Sequence, residues 1–435
     1  MSLPEAIQIR PLTVPVNASI SVPGSKSLTN RALILGALGR EPVLLEGALW
    51  AEDTEVMVEA LRQLGFQIDV EEDASNPSNR CIRVHGMEGR IPAEKADLYV
   101  GTAGTAARFL SAFCALGSGM YSIRGTERMH ERPMKEVFDA IRKLGGRVED
   151  SNGHLPAVIA GPIHEGHIRV DDSESSQFAS ALLLISERAR LEVEAPWSPY
   201  VEMTRHLLEQ WKNFSDVFEI EPDASSASYF VALHRLLQKA HPSPSHSLRL
   251  ARWLPEQSCQ MDRFIDQDDL WNALWDSQES NETFEISRKT DLGDAAMTFA
   301  IAAAASNRVL CVKDAANMRK QECDRLAALK TELRKCGVHA DDSEDSLFIG
   351  HTKTFQPARI HTYNDHRMAM CFAVLGAIDV MKNGEPWITI ENPACVAKTF
   401  PNFWETLEEL AQQSYQAAGQ PHRSIVLKMD GTPLF

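Results

Sequence analysis

The sequence has no cysteine pair in C-x-x-C spacing, no histidine pattern suited to zinc, and no apolar run of membrane-spanning length. Its eight cysteines, at 81, 114, 259, 311, 323, 336, 371 and 395, are scattered, which reads as reduced thiols in a cytoplasmic protein without a metal centre. Positive charge is the minority: 44 Lys and Arg against 60 Asp and Glu leave a formal net charge of −16. That sign argues against nucleic acid or an anionic membrane as a partner. Any anionic ligand must be met by cations gathered locally against the global field. Met1 to Leu12 carries Glu5 and Arg10 and no apolar run, so no signal peptide is expected. With 435 residues, 44% of them hydrophobic, the chain has length for two or three domains with large cores.

Pro23-Gly24-Ser25-Lys26-Ser27-Leu28-Thr29-Asn30-Arg31 opens into Ala32-Leu33-Ile34-Leu35. Pro-Gly breaks the preceding strand, and the small hydroxyl residues can cap a helix that then turns apolar. Ser27 and Arg31, four apart, share a face of that helix. Lys26 stands at its mouth, where free N–H groups and the dipole favour an anion. The pattern suits phosphate binding, although a capped helix with solvated charges would read the same.

A small-residue turn opening into an apolar helix recurs six times, from Ser25, Gly104, Ser175, Ser225, Asp294 and Asp365. Helices apolar all round are buried ones. A second repeat lies between them. Glu55–Gln67, Lys135–Arg147 and Leu326–His339 read as amphipathic helices closed by glycine and followed by alternating strands. Weaker copies are Met203–Phe214, Asp262–Trp275 and Phe403–Gln412. Units of about 70 residues exceed solenoid periods of roughly 20–50, so two globular domains of three units each are expected. The expected division is 16–221 for one domain and 1–15 with 222–435 for the other, joined at Val14-Pro15-Val16 and Glu221-Pro222. Ala240–Thr290 is the least regular stretch.

The motifs PGSKS…NRA at 23–32, AGTAARFL at 103–110, RMHERPM at 128–134, SSQF at 175–178 and PYVEMT at 199–204 resemble those of the 5-enolpyruvylshikimate-3-phosphate (EPSP) synthase family. So do DASSASYF at 223–230, DAAMT at 294–298, ECDRL at 322–326, NDHRMAM at 364–370 and AKTFPNF at 397–403. Together they cover almost the whole chain apart from about 240–290. The resemblance implies an α/β fold of two inside-out α/β barrel domains, built from six repeats of a βαβαββ-type unit with a cleft between the domains. It implies a cytoplasmic monomer with no metal or organic cofactor. The implied reaction moves the enolpyruvyl group of phosphoenolpyruvate to the 5-hydroxyl of shikimate 3-phosphate. Glyphosate, which mimics phosphoenolpyruvate, should compete with it beside the bare Gly104.

Carried over by motif, shikimate 3-phosphate would be held by Lys26, Ser27, Arg31, Ser175, Ser176, Gln177, Tyr200, Asp294 and Asn317. Phosphoenolpyruvate would be held by Lys26, Gly104, Arg132, Gln177, Arg325, Arg367 and Lys398. Thr105, Ser198, Lys320 and His366 are further candidates for the site, without assignment to either substrate. Arginine suits forked contact with phosphate and carboxylate. The addition–elimination needs an acid/base pair among cations; Asp294 and Glu322 are the candidates, with Lys26 balancing charge. Asp294 could instead be a helix N-cap, and Glu322 a partner of Arg325. Two departures bear on affinity. Thr102 stands where the family usually has asparagine, and Gln321 where it usually has a lysine near the shikimate phosphate; Lys320, one residue earlier, points elsewhere on a helix but would reach if the turn is irregular. Phe109, in place of a common proline, is a smaller one. The alternatives are a paralogue that binds ligand without turnover and the sister enolpyruvyl transferase acting on UDP-N-acetylglucosamine. The sister enzyme's loop cysteine has no counterpart in Gly117–Glu131.

Overall fold

The computed structural model describes residues 3–171, 174–253, 258–260, 268–276 and 283–435. Two compact units emerge: one runs from Pro23 to Glu221 and takes in 258–260, the other joins the chain up to Val22 with most of the chain from Pro222 onward. The second crossing falls at 221/222. The first lies at 22/23 rather than at Val16, because Asn17–Ile20 forms a parallel pair with Ser247–Leu250 and is held there. Gly24 comes just after this crossing; a Cβ there would stand 1.9 Å from the Gly47 carbonyl oxygen, so only glycine fits.

Among the described residues the strands form six sheets, three in each unit. Four have four strands, and each of these joins one parallel pairing to two antiparallel ones. In the sheet Lys95–Tyr99, Met120–Arg124, His154–Ala160, Arg147–Ser151, for example, only the first pairing is parallel. The two-stranded sheets keep the parallel pair alone: Gly166–Arg169 with Leu191–Glu194, and Asn17–Ile20 with Ser247–Leu250. The architecture is mixed α/β.

Three mutually packed helices fill the centre of each unit. In the Pro23–Glu221 unit they are Lys26–Leu38, Gly104–Cys114 and Gln177–Ala189; in the other, Ala224–Ala240, Ala296–Ala305 and His366–Gly376. Every residue of Gly104–Cys114 and of His366–Gly376 is buried. Alanine-rich faces let such helices approach closely, and the apolar burial drives the packing. The amphipathic helices end earlier than their periodicity suggests: Glu52–Gln63, Lys135–Lys143 and Arg325–Lys335. Each stops just before a glycine of positive φ (Gly65 +96°, Gly145 +89°, Gly337 +83°), the left-handed C′ position that terminates a helix. The others run Pro199–Trp211 and Phe403–Ala417. Of the expected Asp262–Trp275, residues 262–267 lie outside the described residues, and the helix is described over Asp268–Asp276. No helix among the described residues is long and apolar enough to cross a membrane.

Candidate active site

In the Pro23–Glu221 unit the candidate residues gather at the openings of the three central helices. Ser25 caps Lys26–Leu38, its Oγ accepting from Leu28 N. That fixes Lys26 in the first turn, where Nζ lies 3.1 Å from Asp53 Oδ2, a carboxylate only 4% exposed. Arg31, one turn on, is buried. Its Nε donates to Thr204 Oγ1 at 2.9 Å, Nη1 to the Ser27 carbonyl at 2.9 Å, and Nη2 to Ser180 Oγ at 3.0 Å and the Tyr200 carbonyl at 3.3 Å. All four acceptors are neutral, and Phe109 stacks at 5.1 Å. Burial without a carboxylate lowers the Arg31 pKa to about 10. Ser27 and Tyr200 therefore meet Arg31 through their carbonyls, and one of its five N–H groups remains for a ligand.

Gly104 opens the second helix between two guanidinium groups. A Cβ there would stand 2.6 Å from Arg108 Nη1 and 2.6 Å from Arg132 Nη2. Arg132 is buried, its Nη1 donates to the Thr102 carbonyl at 3.0 Å, and its Nε has no partner. Thr102 thus contributes its backbone, which any side chain at that position supplies. Arg108 was not among the expected residues. It donates to Gln177 Oε1 and to the Pro133 carbonyl, both at 2.8 Å, while Gln177 Nε2 donates to Thr105 Oγ1 at 3.1 Å. Its spacing from Gly104, four along one helix, was the available signal. Ser175 Oγ accepts from Gln177 N, Ser176 occupies the cap of Gln177–Ala189, and Ser198 caps Pro199–Trp211 through Val201 N.

The other unit holds the carboxylates. Asp294 is not a helix cap. It lies in the 3₁₀ turn Gly293–Ala295, and the cap of Ala296–Ala305 is Ala295. Its carboxylate accepts from Arg367 Nη2 at 2.9 Å and from Arg288 Nη2 at 3.2 Å. Glu322 lies 2.8 Å from Arg325 Nη2 and 3.4 Å from Lys398 Nζ. Each candidate acid/base thus sits between two cations. Asp365, fully buried, ties the two pairs together: it accepts from Arg325 Nε at 2.7 Å and from the backbone N of Arg367 at 2.9 Å. Burial opposes charge on Arg325, but Asp365 and Glu322 outweigh it and hold the guanidinium pKa above its ordinary value. His366 Nδ1 lies 3.7 Å from Asp365, and Arg367 Nη1 donates to Tyr229 OH at 3.2 Å. Gln321 Oε1 accepts from Arg325 Nη1 at 2.6 Å. Asn317 lies in the turn Ala316–Lys320 with Oδ1 buried and unpartnered, and Lys320 ends that turn exposed. Asp365 and Arg288 were not expected as site residues.

The α/β fold has solved counterparts. A structure of EPSP synthase from Acinetobacter baumannii covers 94% of this chain and 98% of its own, with a TM-score of 0.65 at 21% identity, a likeness of fold. A model of the family EPSP synthase (3-phosphoshikimate 1-carboxyvinyltransferase) matches residues 12–407, and the chain belongs to that family. A protein named 3-phosphoshikimate 1-carboxyvinyltransferase from Opitutus terrae is 39% identical over 95% of this chain and 99% of its own length. One of the same name from Trichormus variabilis is 35% identical over 92% and 98%.

Proposed function

We propose that the chain transfers the enolpyruvyl group of phosphoenolpyruvate to the 5-hydroxyl of shikimate 3-phosphate, releasing phosphate. The observation that carries the reading is the placement of Asp294 and Glu322, each between two cations. The acceptor hydroxyl loses a proton as its oxygen bonds to C2 of phosphoenolpyruvate, and C3 gains one. The tetrahedral adduct then gives up the C3 proton, reforms the double bond and expels phosphate. One of Asp294 and Glu322 takes the hydroxyl proton while the other, carrying a proton, delivers it to C3; in the elimination the second takes the C3 proton back and the first gives its proton to the departing phosphate. Lys26 balances the charge that builds on the adduct. Gly104, Arg132, Arg325, Arg367 and Lys398 hold phosphoenolpyruvate, with Thr105 and His366 as further candidates. Ser27, Arg31, Ser175, Ser176, Gln177, Tyr200 and Asn317 hold the acceptor, with Ser198 adjoining and Lys320, at the end of the turn Ala316–Lys320, a further cation on that side.

On the same reading the six sheets are six copies of one unit in two inside-out barrels. The protein works as a cytoplasmic monomer without metal or organic cofactor. Phosphate release should require shikimate 3-phosphate, persist in chelator, and be absent with UDP-N-acetylglucosamine. Asp294→Ala should lower it at least about a hundredfold. A folded protein that binds shikimate 3-phosphate and releases no phosphate would instead be the ligand-binding paralogue.

A further inference from the structure

Arg288 has a place in the site that no motif carries. It comes directly after the strand Phe284–Ser287 and begins a single π-helical turn, Arg288–Leu292. Its side chain is 11% exposed, and its contact with Asp294 Oδ1, at 3.2 Å from Nη2, uses one of five N–H donors. Nε is buried with no partner. A buried guanidinium nitrogen without a partner is costly in the free protein, and an anion would satisfy it. Its carboxylate neighbour is already shared with Arg367, so the pair of arginines outweighs Asp294 by one positive charge.

The sheet shows where that charge lies. Phe284–Ser287 pairs in parallel with Leu310–Lys313, Ser287 opposite Lys313, and Ser287 Oγ donates to Asp314 Oδ2 at 2.5 Å just beyond. Parallel neighbours end at the same edge, so Arg288 leaves the sheet beside the segment that continues into Ala316–Lys320. That segment carries Asn317, whose buried Oδ1 also lacks a partner, and then Gln321. Gln321 is neutral, and its Oε1 is engaged by Arg325. The position without its usual cation and the arginine with the unmatched Nε lie on segments that leave the sheet together.

We infer that Arg288 is a binding residue for the phosphate of the acceptor, supplying the positive charge that Gln321 does not. This rests on the proposed reaction and names which side chain meets the phosphate ester. The fork of a guanidinium suits that group, and the bond to Asp294 orients it.

Binding of shikimate 3-phosphate by calorimetry, and turnover by phosphate release, test this on the full chain as wild type, Arg288→Gln, Arg288→Lys and Arg288→Gln/Gln321→Lys. Arg288→Gln should weaken shikimate 3-phosphate binding about 10- to 100-fold, with the KM for phosphoenolpyruvate little changed. Arg288→Lys should recover part of the binding, and so should lysine at 321. An arginine that only steadies Asp294 would give a different signature: kcat falls, its pH profile moves, binding holds within about twofold, and Gln321→Lys rescues nothing. That result overturns the inference while leaving the proposed reaction intact. Failure of the wild type to bind or turn over shikimate 3-phosphate would instead remove the proposed reaction, and the inference with it.

Discussion

Replacing Gly104 by alanine adds one methyl group between two guanidinium groups. Its carbon would lie 2.6 Å from a nitrogen of each of Arg108 and Arg132. An unstrained contact needs roughly 3.5 Å, so both guanidinium groups must retreat by roughly 1 Å. Arg108 is held by Gln177 and by the Pro133 carbonyl, whereas Arg132 has a single bond to the Thr102 carbonyl, so Arg132 yields more readily. The backbone does not object, because Gly104 begins a helix without positive φ. A charge-assisted hydrogen bond lost from the donor side costs about 1.5–3 kcal/mol, which raises KM for phosphoenolpyruvate about 10- to 150-fold. Steady-state phosphate release at saturating shikimate 3-phosphate measures it, and the KM for shikimate 3-phosphate serves as the internal control. A KM for phosphoenolpyruvate within twofold of wild type would refute the reasoning. It would mean that Arg132 has slack or does not meet this substrate.

Other perturbations separate binding from stability. Asp365→Asn leaves Arg325 buried with Glu322 as its remaining carboxylate; stability should fall by about 3–5 kcal/mol, read as a lower urea midpoint. Burial, with His246 and Arg235 nearby, lowers the His234 pKa to about 4. The unfolded chain therefore takes up this proton first, so its contribution to stability is complete above about pH 6.5 and falls as the pH drops to 4. Partial exposure limits the loss to roughly 2 kcal/mol. His234→Leu should remove that slope from unfolding free energies measured across the range, and an unchanged slope would exclude the histidine as its source. Glyphosate should compete with phosphoenolpyruvate in the wild type, and inhibition that phosphoenolpyruvate does not relieve would place it elsewhere.

The six helical openings were legible because burial on all sides demands residues apolar all round, and small residues announce the turn before each. Helix ends were legible only to within a turn: periodicity continues past the glycine that stops the helix, and the sign of φ is not written in the alternation of side chains. Asp294 carried a signal of the wrong kind. Aspartate ahead of an alanine-rich run reads as a cap, yet here two arginines claim the carboxylate, and one of them is 73 positions away. Asp365 reads as the cap it is, but its pairing with Arg325, 40 positions earlier, is a tertiary fact. Arg288 lies in the stretch without a motif, so nothing in its neighbours marked it. Gly104 was visible only as a missing side chain until both arginines around it were placed.

The crossings at 22/23 and 221/222 have a consequence for the order of synthesis. The Pro23–Glu221 unit is nearly contiguous and can fold as it leaves the ribosome, while the other cannot begin with its own first strand. Ala6–Ile9 has its partners at Ile388–Glu391 and Val426–Leu427. At about 5–20 residues per second, that strand waits on the order of 20–80 s for its neighbours. Asn17–Ile20 waits for Ser247–Leu250. For that interval the nascent chain carries two strands with unpaired edges tethered to a folded neighbour, the form in which a newly made chain pairs most readily with another copy of itself.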